Sequence, residues 1–377
     1  MRKFLSVVIF ICMLAFMMSP AYVSSESDSN RFIVLFEESH MSDKAEQVLM
    51  EKGMDVEKFE LTNGVVVRGN LNEIEALSKD LGIRHIEVDQ EVMALAKPEK
   101  PPVTQPGQTV EWGINTVKAT EVWNSYDGSG VKVAIIDTGI DTSHPDLAVQ
   151  GGVNYVKRAK GYQDDNGHGT HVAGIVGALN NDLGVVGVAP NVDLFAVKVL
   201  DSRGSGYLSD VIRGIDWSVM NGMDVINMSL GANSGSIALE DALIKAENAG
   251  IISVAAAGND ASAIDFPGAY SSTIAVGAID SQYNLATFSS VGSELDVVAP
   301  GVSILSTYKD GTYKVLNGTS MATPHVAGLA ALFKEKNPGA TLSDFRNLLQ
   351  TTSTDLGDSG FDIEYGYGLP DAVSLLQ

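Results

Sequence analysis

With 377 residues, 45% of them hydrophobic, and 38 glycines, the chain has room for two or three packed units and is too apolar to be disordered. A formal net charge of −22 excludes polyanionic partners such as nucleic acid, which are held through clustered Lys and Arg. The only cysteine, Cys12, lies in the first apolar segment, so the rest of the chain has no disulfide, thiolate metal site or cysteine nucleophile.

Met1, Arg2 and Lys3, then an apolar run over residues 4–18, then Ser19, Pro20 and Ala21, read as an export signal. The run falls short of the roughly 20 residues a membrane span needs. Residues 1–21 are therefore expected to be a cleaved signal peptide, and the protein to be secreted and extracellular. Residues 31–96 form a unit of their own. Strands are predicted at 31–36, 56–61, 64–69 and 83–88, with helices at 42–52 and 72–80, and the order βαββαβ predicts a ferredoxin-like α+β sandwich. Residues 97–107 hold four prolines in eleven positions, which predicts an extended, exposed linker.

From residue 108 to 377 the rhythm changes to short Val, Ile and Ala runs alternating with longer amphipathic segments. Strands are predicted at 131–136, 193–200, 225–228, 251–257 and 273–276. Helices are predicted at 168–179, 209–220, 237–249, 320–336 and 342–352. Near-continuous apolar strands predict an α/β unit with a mostly parallel sheet covered by helices on both faces. Sites in such sheets form beyond the carboxyl ends of the strands, which directs attention to Asp137, Ser229-Leu230-Gly231 and Gly258-Asn259.

The stretch Asn317-Gly318-Thr319-Ser320-Met321-Ala322 holds a serine among small residues at a predicted helix start, where free N–H groups favour developing negative charge. Taken alone, Ser320 or Thr319 is also an ordinary helix cap. A hydroxyl becomes a nucleophile when a neutral imidazole takes its proton and a carboxylate fixes that imidazole. His168, flanked by glycines in NGHGTHVAG and expected to be exposed, and Asp137 in DTGID supply those groups. His171 is three residues from His168, a spacing without the zinc-protease pattern, and reads as packing or a structural hydrogen bond. His144 reads as a loop residue, and His325 as pointing away from the helix start. The order Asp, His, Ser is neither that of α/β-hydrolases nor that of chymotrypsin-like enzymes.

AIIDTGID around Asp137, HGTHVAG around His168 and GTSMATPHVAG around Ser320 together resemble the three active-site blocks of the subtilisin-like serine proteases. The resemblance runs over residues 108–377, and residues 31–96 resemble that family's propeptide, an intramolecular chaperone and inhibitor. It implies a secreted serine endopeptidase made as a self-processing zymogen, acting through an acyl-enzyme. Asn259 then matches the asparagine that forms the oxyanion hole with the N–H of Ser320. Gly204-Ser205-Gly206 and Ser229-Leu230-Gly231 match the two edges that hold substrate as an added strand, and main-chain pairing implies broad specificity. Gln108, Asp146 and Asn181, with the carbonyls of Leu179, Leu183 and Val185, resemble a structural calcium site, a hard-oxygen set.

The loop after Asn259 departs from the family pattern. It is shorter than in many subtilisins and carries Asp265 at the expected floor of the pocket for the residue before the cut. Either Asp260 and Asp265 favour Lys or Arg there, or both acids face solvent. The apolar run Met93-Ala94-Leu95-Ala96 predicts maturation after Ala96, with a cut near Gly107 as the alternative. Expected partners are protein and peptide substrates and the chain's own propeptide, with no nucleic acid, no membrane after signal removal and no second subunit. A non-catalytic binding protein on the same scaffold, or an esterase, are the competing readings; the first would lack a catalytic group and the second would need another residue order.

Overall fold

The computed structural model describes residues 30–377 except 39, 100, 105, 106, 157, 158 and 160. The expected signal peptide lies outside the described residues. In the larger unit seven strands form one sheet in the order Val297–Pro300, Ile274–Ile279, Ile252–Ala256, Val225–Met228, Lys132–Asp137, Asp193–Lys198, Val149–Asn154. Every pairing in it is parallel. Apart from the edge strand Val149–Asn154, its strands are predominantly apolar because both faces are covered. Helices His168–Gly177 and Thr319–Lys336 pack into one hydrophobic layer, with Val172, Val176, Met321 and Val326 inward. Helices Leu208–Met220 and Ile237–Asn248 pack into the other, through Val211, Ile215, Leu239 and Leu243. Full burial of each such side chain contributes about 1.5–3 kcal/mol.

The first unit matches the predicted βαββαβ pattern, except that the second helix is divided into Leu71–Ala76 and Ser78–Leu81. Its antiparallel sheet runs Asp55–Lys58, Gly64–Arg68, Arg31–Phe36, Ile83–Val88. The strand Arg31–Phe36 is buried on both faces. Phe32, Val34 and Phe36 face the unit's own helices, while Ile33 and Leu35 pack on the helices of the larger unit. The polar part of this contact caps helices. Asp89 accepts from Ser209 N at 2.9 Å and Ser209 Oγ at 2.7 Å, and also pairs with Arg31. Glu87 accepts from Ile237 N at 3.1 Å. Both carboxylates satisfy free N–H groups and oppose the positive end of a helix dipole.

The strand Glu91–Ala94 leaves this unit and enters a three-stranded sheet between Ser205–Tyr207 and Leu230–Gly231. The proline-rich segment then runs along the larger unit, with Lys97–Pro98 paired to Thr312–Asn317 and Val103 bridged to Tyr313.

Candidate active site

Asp137 ends the interior strand Lys132–Asp137 and is fully buried. His168 opens the helix His168–Gly177, and its Nδ1 lies 2.7 and 2.9 Å from the two Asp137 oxygens. Helix and strand end approach this closely because residue 169 is glycine: a Cβ there would stand 2.1 Å from the Gly139 carbonyl oxygen. Asp164 fixes the same corner, accepting from Thr138 Oγ1 at 2.9 Å, Gly167 N at 2.8 Å and Thr170 Oγ1 at 2.6 Å. Burial disfavours the His168 imidazolium, but the Asp137 charge and hydrogen bond outweigh it, so its pKa lies above the ordinary histidine value. With Nδ1–H held by the carboxylate, Nε2 is left as the acceptor, and it is buried without a hydrogen-bond partner.

His168 is buried, against the expectation of exposure. Ala94, Ala96, His168, Asn166 and Tyr308 line a cavity of about 220 Å³.

Ser320 stands in the first turn of the helix Thr319–Lys336 and is fully buried. Its Oγ donates to the Ser229 carbonyl at 2.9 Å, not to His168. Pro324 cannot donate to the carbonyl four residues back, so the Ser320 carbonyl is free, and it accepts from Ser229 Oγ at 3.0 Å. Asn259 Oδ1 accepts from Thr319 N at 2.9 Å and Thr319 Oγ1 at 3.0 Å, which aims Nδ2 at the carbonyl of Leu95, 2.7 Å away. Gly318 makes room for that carbonyl, since a Cβ there would come within 2.4 Å of the oxygen.

The backbone of residues 91–95 is held from both sides. Met93 pairs with Ser205 and Gly231, Val92 with Gly206, and Ala94 with Leu230. Ala94 N donates to the Gly204 carbonyl at 2.9 Å, and Leu95 N to that of Ser229 at 3.4 Å. All six residues read as substrate edges thus touch one extended segment of the same chain. The two loop acids separate: Asp260 is exposed, and Asp265 is only 6% exposed. Asp265 Oδ2 lies 2.8 Å from where a Cβ on Gly231 would stand, and Leu95 Cδ1 lies 2.8 Å from the same point. Burial, reinforced by Asp260, pushes the Asp265 carboxyl up to about 6.

Gln108, Asp146 and the loop 179–185 also meet. Gln108 Oε1 accepts from Asn181 N at 2.8 Å and Asp182 N at 2.7 Å. Asp146 Oδ2 accepts from Val185 N at 3.0 Å, and Leu179 N donates to the Asp146 carbonyl at 3.0 Å. Asp146 Oδ1 is buried with no partner, and burial raises this carboxyl to about 6. An orphaned carboxylate oxygen among amide and carbonyl oxygens fits a hard cation.

The subtilase family profile matches residues 128–368. The chain is a subtilase. It is 46% identical over 371 residues to Subtilisin NAT of Bacillus subtilis subsp. natto and to Subtilisin E of Bacillus subtilis (strain 168), covering 96% of this chain and 94% of each relative. It is 56% identical over 276 residues to Subtilisin DY of Bacillus licheniformis, covering 72% of this chain and all of that protein. This subtilase is a serine endopeptidase of the subtilisin type.

The roles of two residues of the subtilase site escape sequence reasoning. Thr319 orients Asn259, and the only signal for it is its place beside Ser320. Ser229 holds Ser320 through two hydrogen bonds, which nothing in its local sequence announces. Among the remaining histidines, His171 Nε2 lies 2.9 Å from the Lys314 carbonyl; burial, then repulsion from His168, lowers its pKa to about 3. It is therefore neutral and structural. His144, read as a loop residue at the surface, is buried against Tyr313, with Nε2 3.0 Å from the Thr312 carbonyl. His325 Nδ1 bonds the Met321 carbonyl at 2.8 Å, and burial lowers its pKa to about 4.

Proposed function

We propose that this subtilase is a secreted zymogen that cuts itself between Leu95 and Ala96 and then hydrolyses peptide bonds broadly through an acyl-enzyme. The observation that carries this reading is the Leu95 carbonyl on Asn259, within a segment paired on both sides like a bound substrate. The bond lies one residue before the cut that the apolar run Met93–Ala96 predicts. In this reading the Ser320 hydroxyl turns from the Ser229 carbonyl towards His168 Nε2. Its oxygen attacks the carbonyl carbon of residue 95 as its proton passes to that nitrogen, and Asp137 stabilises the imidazolium. Asn259 Nδ2 and the Ser320 N–H receive the developing oxyanion. His168 then returns the proton to the departing nitrogen of residue 96 as the C–N bond breaks. Water, deprotonated by His168, attacks the ester, frees the carboxylate and restores Ser320.

Residues 31–95, one fewer than the 31–96 expected from the sequence, act in this reading as the propeptide, which fills the cleft and braces the helices at Ser209 and Ile237. Residues 1–21 are the signal peptide, 97–107 the linker and 108–377 the peptidase. N-terminal sequencing of the secreted protein is expected to begin at Ala96, and the Ser320→Ala precursor to stay joined after signal removal. A Ser320→Ala protein cut at the same bond would sink the self-processing reading.

Calcium is the cation proposed for the oxygens of Gln108, Asp146 and Asn181 and the carbonyls of Leu179, Leu183 and Val185. When bound it supplies the charge that balances Asp146, and with no disulfide after Cys12 it stabilises the fold. Chelation is expected to lower Tm by roughly 5–10 °C; an unchanged Tm removes the site from the proposal.

A further inference from the structure

The hydrolytic chemistry leaves Asp265 unused. As a residue Asp265 is 6% exposed, and among the described residues its carboxylate accepts no hydrogen bond and joins no ion pair. A carboxylate withdrawn from water without a partner is costly, so such a group is expected where a ligand supplies the partner. A second polar atom without a partner stands beside it. Ser290 Oγ is fully buried with no hydrogen-bond partner, 2.6 Å from the point where a Cβ on Gly258 would stand, and Asp265 Oδ2 is 2.7 Å from that point. Glycine at 231 and 258 lets these atoms and Leu95 approach closely, since a Cβ at either position would come within 3 Å of them. Leu95 Cδ1 enters beside the carboxylate and offers it no donor.

We propose that the pocket receiving Leu95 is a receptor for lysine and arginine side chains, whose cationic end Asp265 binds with the Ser290 hydroxyl beside it. The proposal rests on the reading of residues 91–96 as a segment held in substrate position. A lysine or arginine reaches past the branch point of leucine and brings two or more N–H donors to the Asp265 carboxylate. Residues 96–377 hold 31 acidic against 16 basic side chains, and that negative balance also draws cationic peptides towards the cleft. The preferred substrates are thus polypeptides with a basic residue before the cut. The chain's own Leu95 leaves the carboxylate unsatisfied, which makes the cleaved propeptide a looser occupant than one ending in lysine.

The secreted enzyme is assayed on peptide p-nitroanilides identical but for Phe, Leu, Lys or Arg before the scissile bond. Wild type is expected to cleave the Lys and Arg substrates at least as well as the Leu one. Asp265→Asn is expected to lower the Lys-to-Leu ratio of kcat/KM by about ten- to a hundredfold, the range of a hydrogen bond to a buried charge. Ser290→Ala is expected to lower it by less. Each ratio is taken within one enzyme, so a reduced yield of folded variant cancels. Wild type that cleaves Phe and Leu substrates but not Lys and Arg overturns the proposal, as does an unchanged ratio in Asp265→Asn. A mature N-terminus other than Ala96 overturns the pocket assignment itself, whereas an Ala96 terminus with an unchanged ratio overturns only the role of Asp265.

Discussion

Asp137 and Asp265 are both buried carboxylates of the cleft, yet their surroundings are opposite. Asp137 has His168 Nδ1 at 2.7 and 2.9 Å and the Thr138 N–H at 2.7 Å. Asp265 has no donor among the described residues and a second acid, Asp260, acting on it. The difference separates two uses of one side chain. An acid with an internal partner fixes and tunes that partner, and its removal damages every turnover. An acid without one acts on whatever enters, and its removal changes the choice of substrate more than the chemistry.

The largest effect that sharpens this contrast belongs to the first acid. Asp137→Asn keeps the shape but lets His168 take the wrong tautomer, and kcat/KM is expected to fall by roughly four orders of magnitude on every substrate alike. A loss confined to basic substrates would break the comparison. Next comes Asn259→Ala, expected to cost about a hundred- to a thousandfold in kcat, the loss already known for an oxyanion donor in this family, again without regard to the side chain before the cut.

The third prediction concerns pH and is read from the Lys-to-Leu ratio, in which the titration of His168 cancels. Below about 6 the Asp265 carboxyl is protonated and accommodates leucine. Above it the group is ionised, which favours a cation and disfavours an apolar side chain, so the ratio is expected to rise with pH by about tenfold or more. Of the segments against Asp265, its own loop brings Asp260, while residues 229–231, 257–258 and 289–290 bring no ionisable side chain. A ratio flat from pH 5 to 8 would contradict the assignment. The smallest effect is in Asp260→Asn. Removing that negative charge eases ionisation of Asp265, and the midpoint of the rise is expected to move to lower pH by a fraction of a unit.

Much of the site is legible in one dimension because its chemistry needs particular residue types beside small ones. Asp137 directly after an apolar strand, His168 between glycines and Ser320 at a helix start carry their signals locally, and the α/β class follows from the apolar runs. Strand Val149–Asn154, rich in Gly and Gln, and the hairpin formed by Ile304–Tyr308 and Thr312–Asn317 carry weak signals and were not expected. Asp260 and Asp265 could not be told apart, since both sit in one short loop of similar composition; only the fold buries one and exposes the other.

The sequence by itself determined which groups are present, their order along the chain and the class of sheet that carries them, because periodicity and composition report burial along a single element. Tertiary structure decided which surfaces meet. The run Arg31–Phe36 is apolar at five of its six positions, but that one face of its strand serves its own helices and the other the helices of the peptidase became visible only on packing. The placement of Leu95 against Asn259, and of its side chain against Asp265, follows from that docking together with the two edges at 205–207 and 230–231. Contacts between residues so far apart in the chain are set by how whole elements fit, for which no local pattern exists.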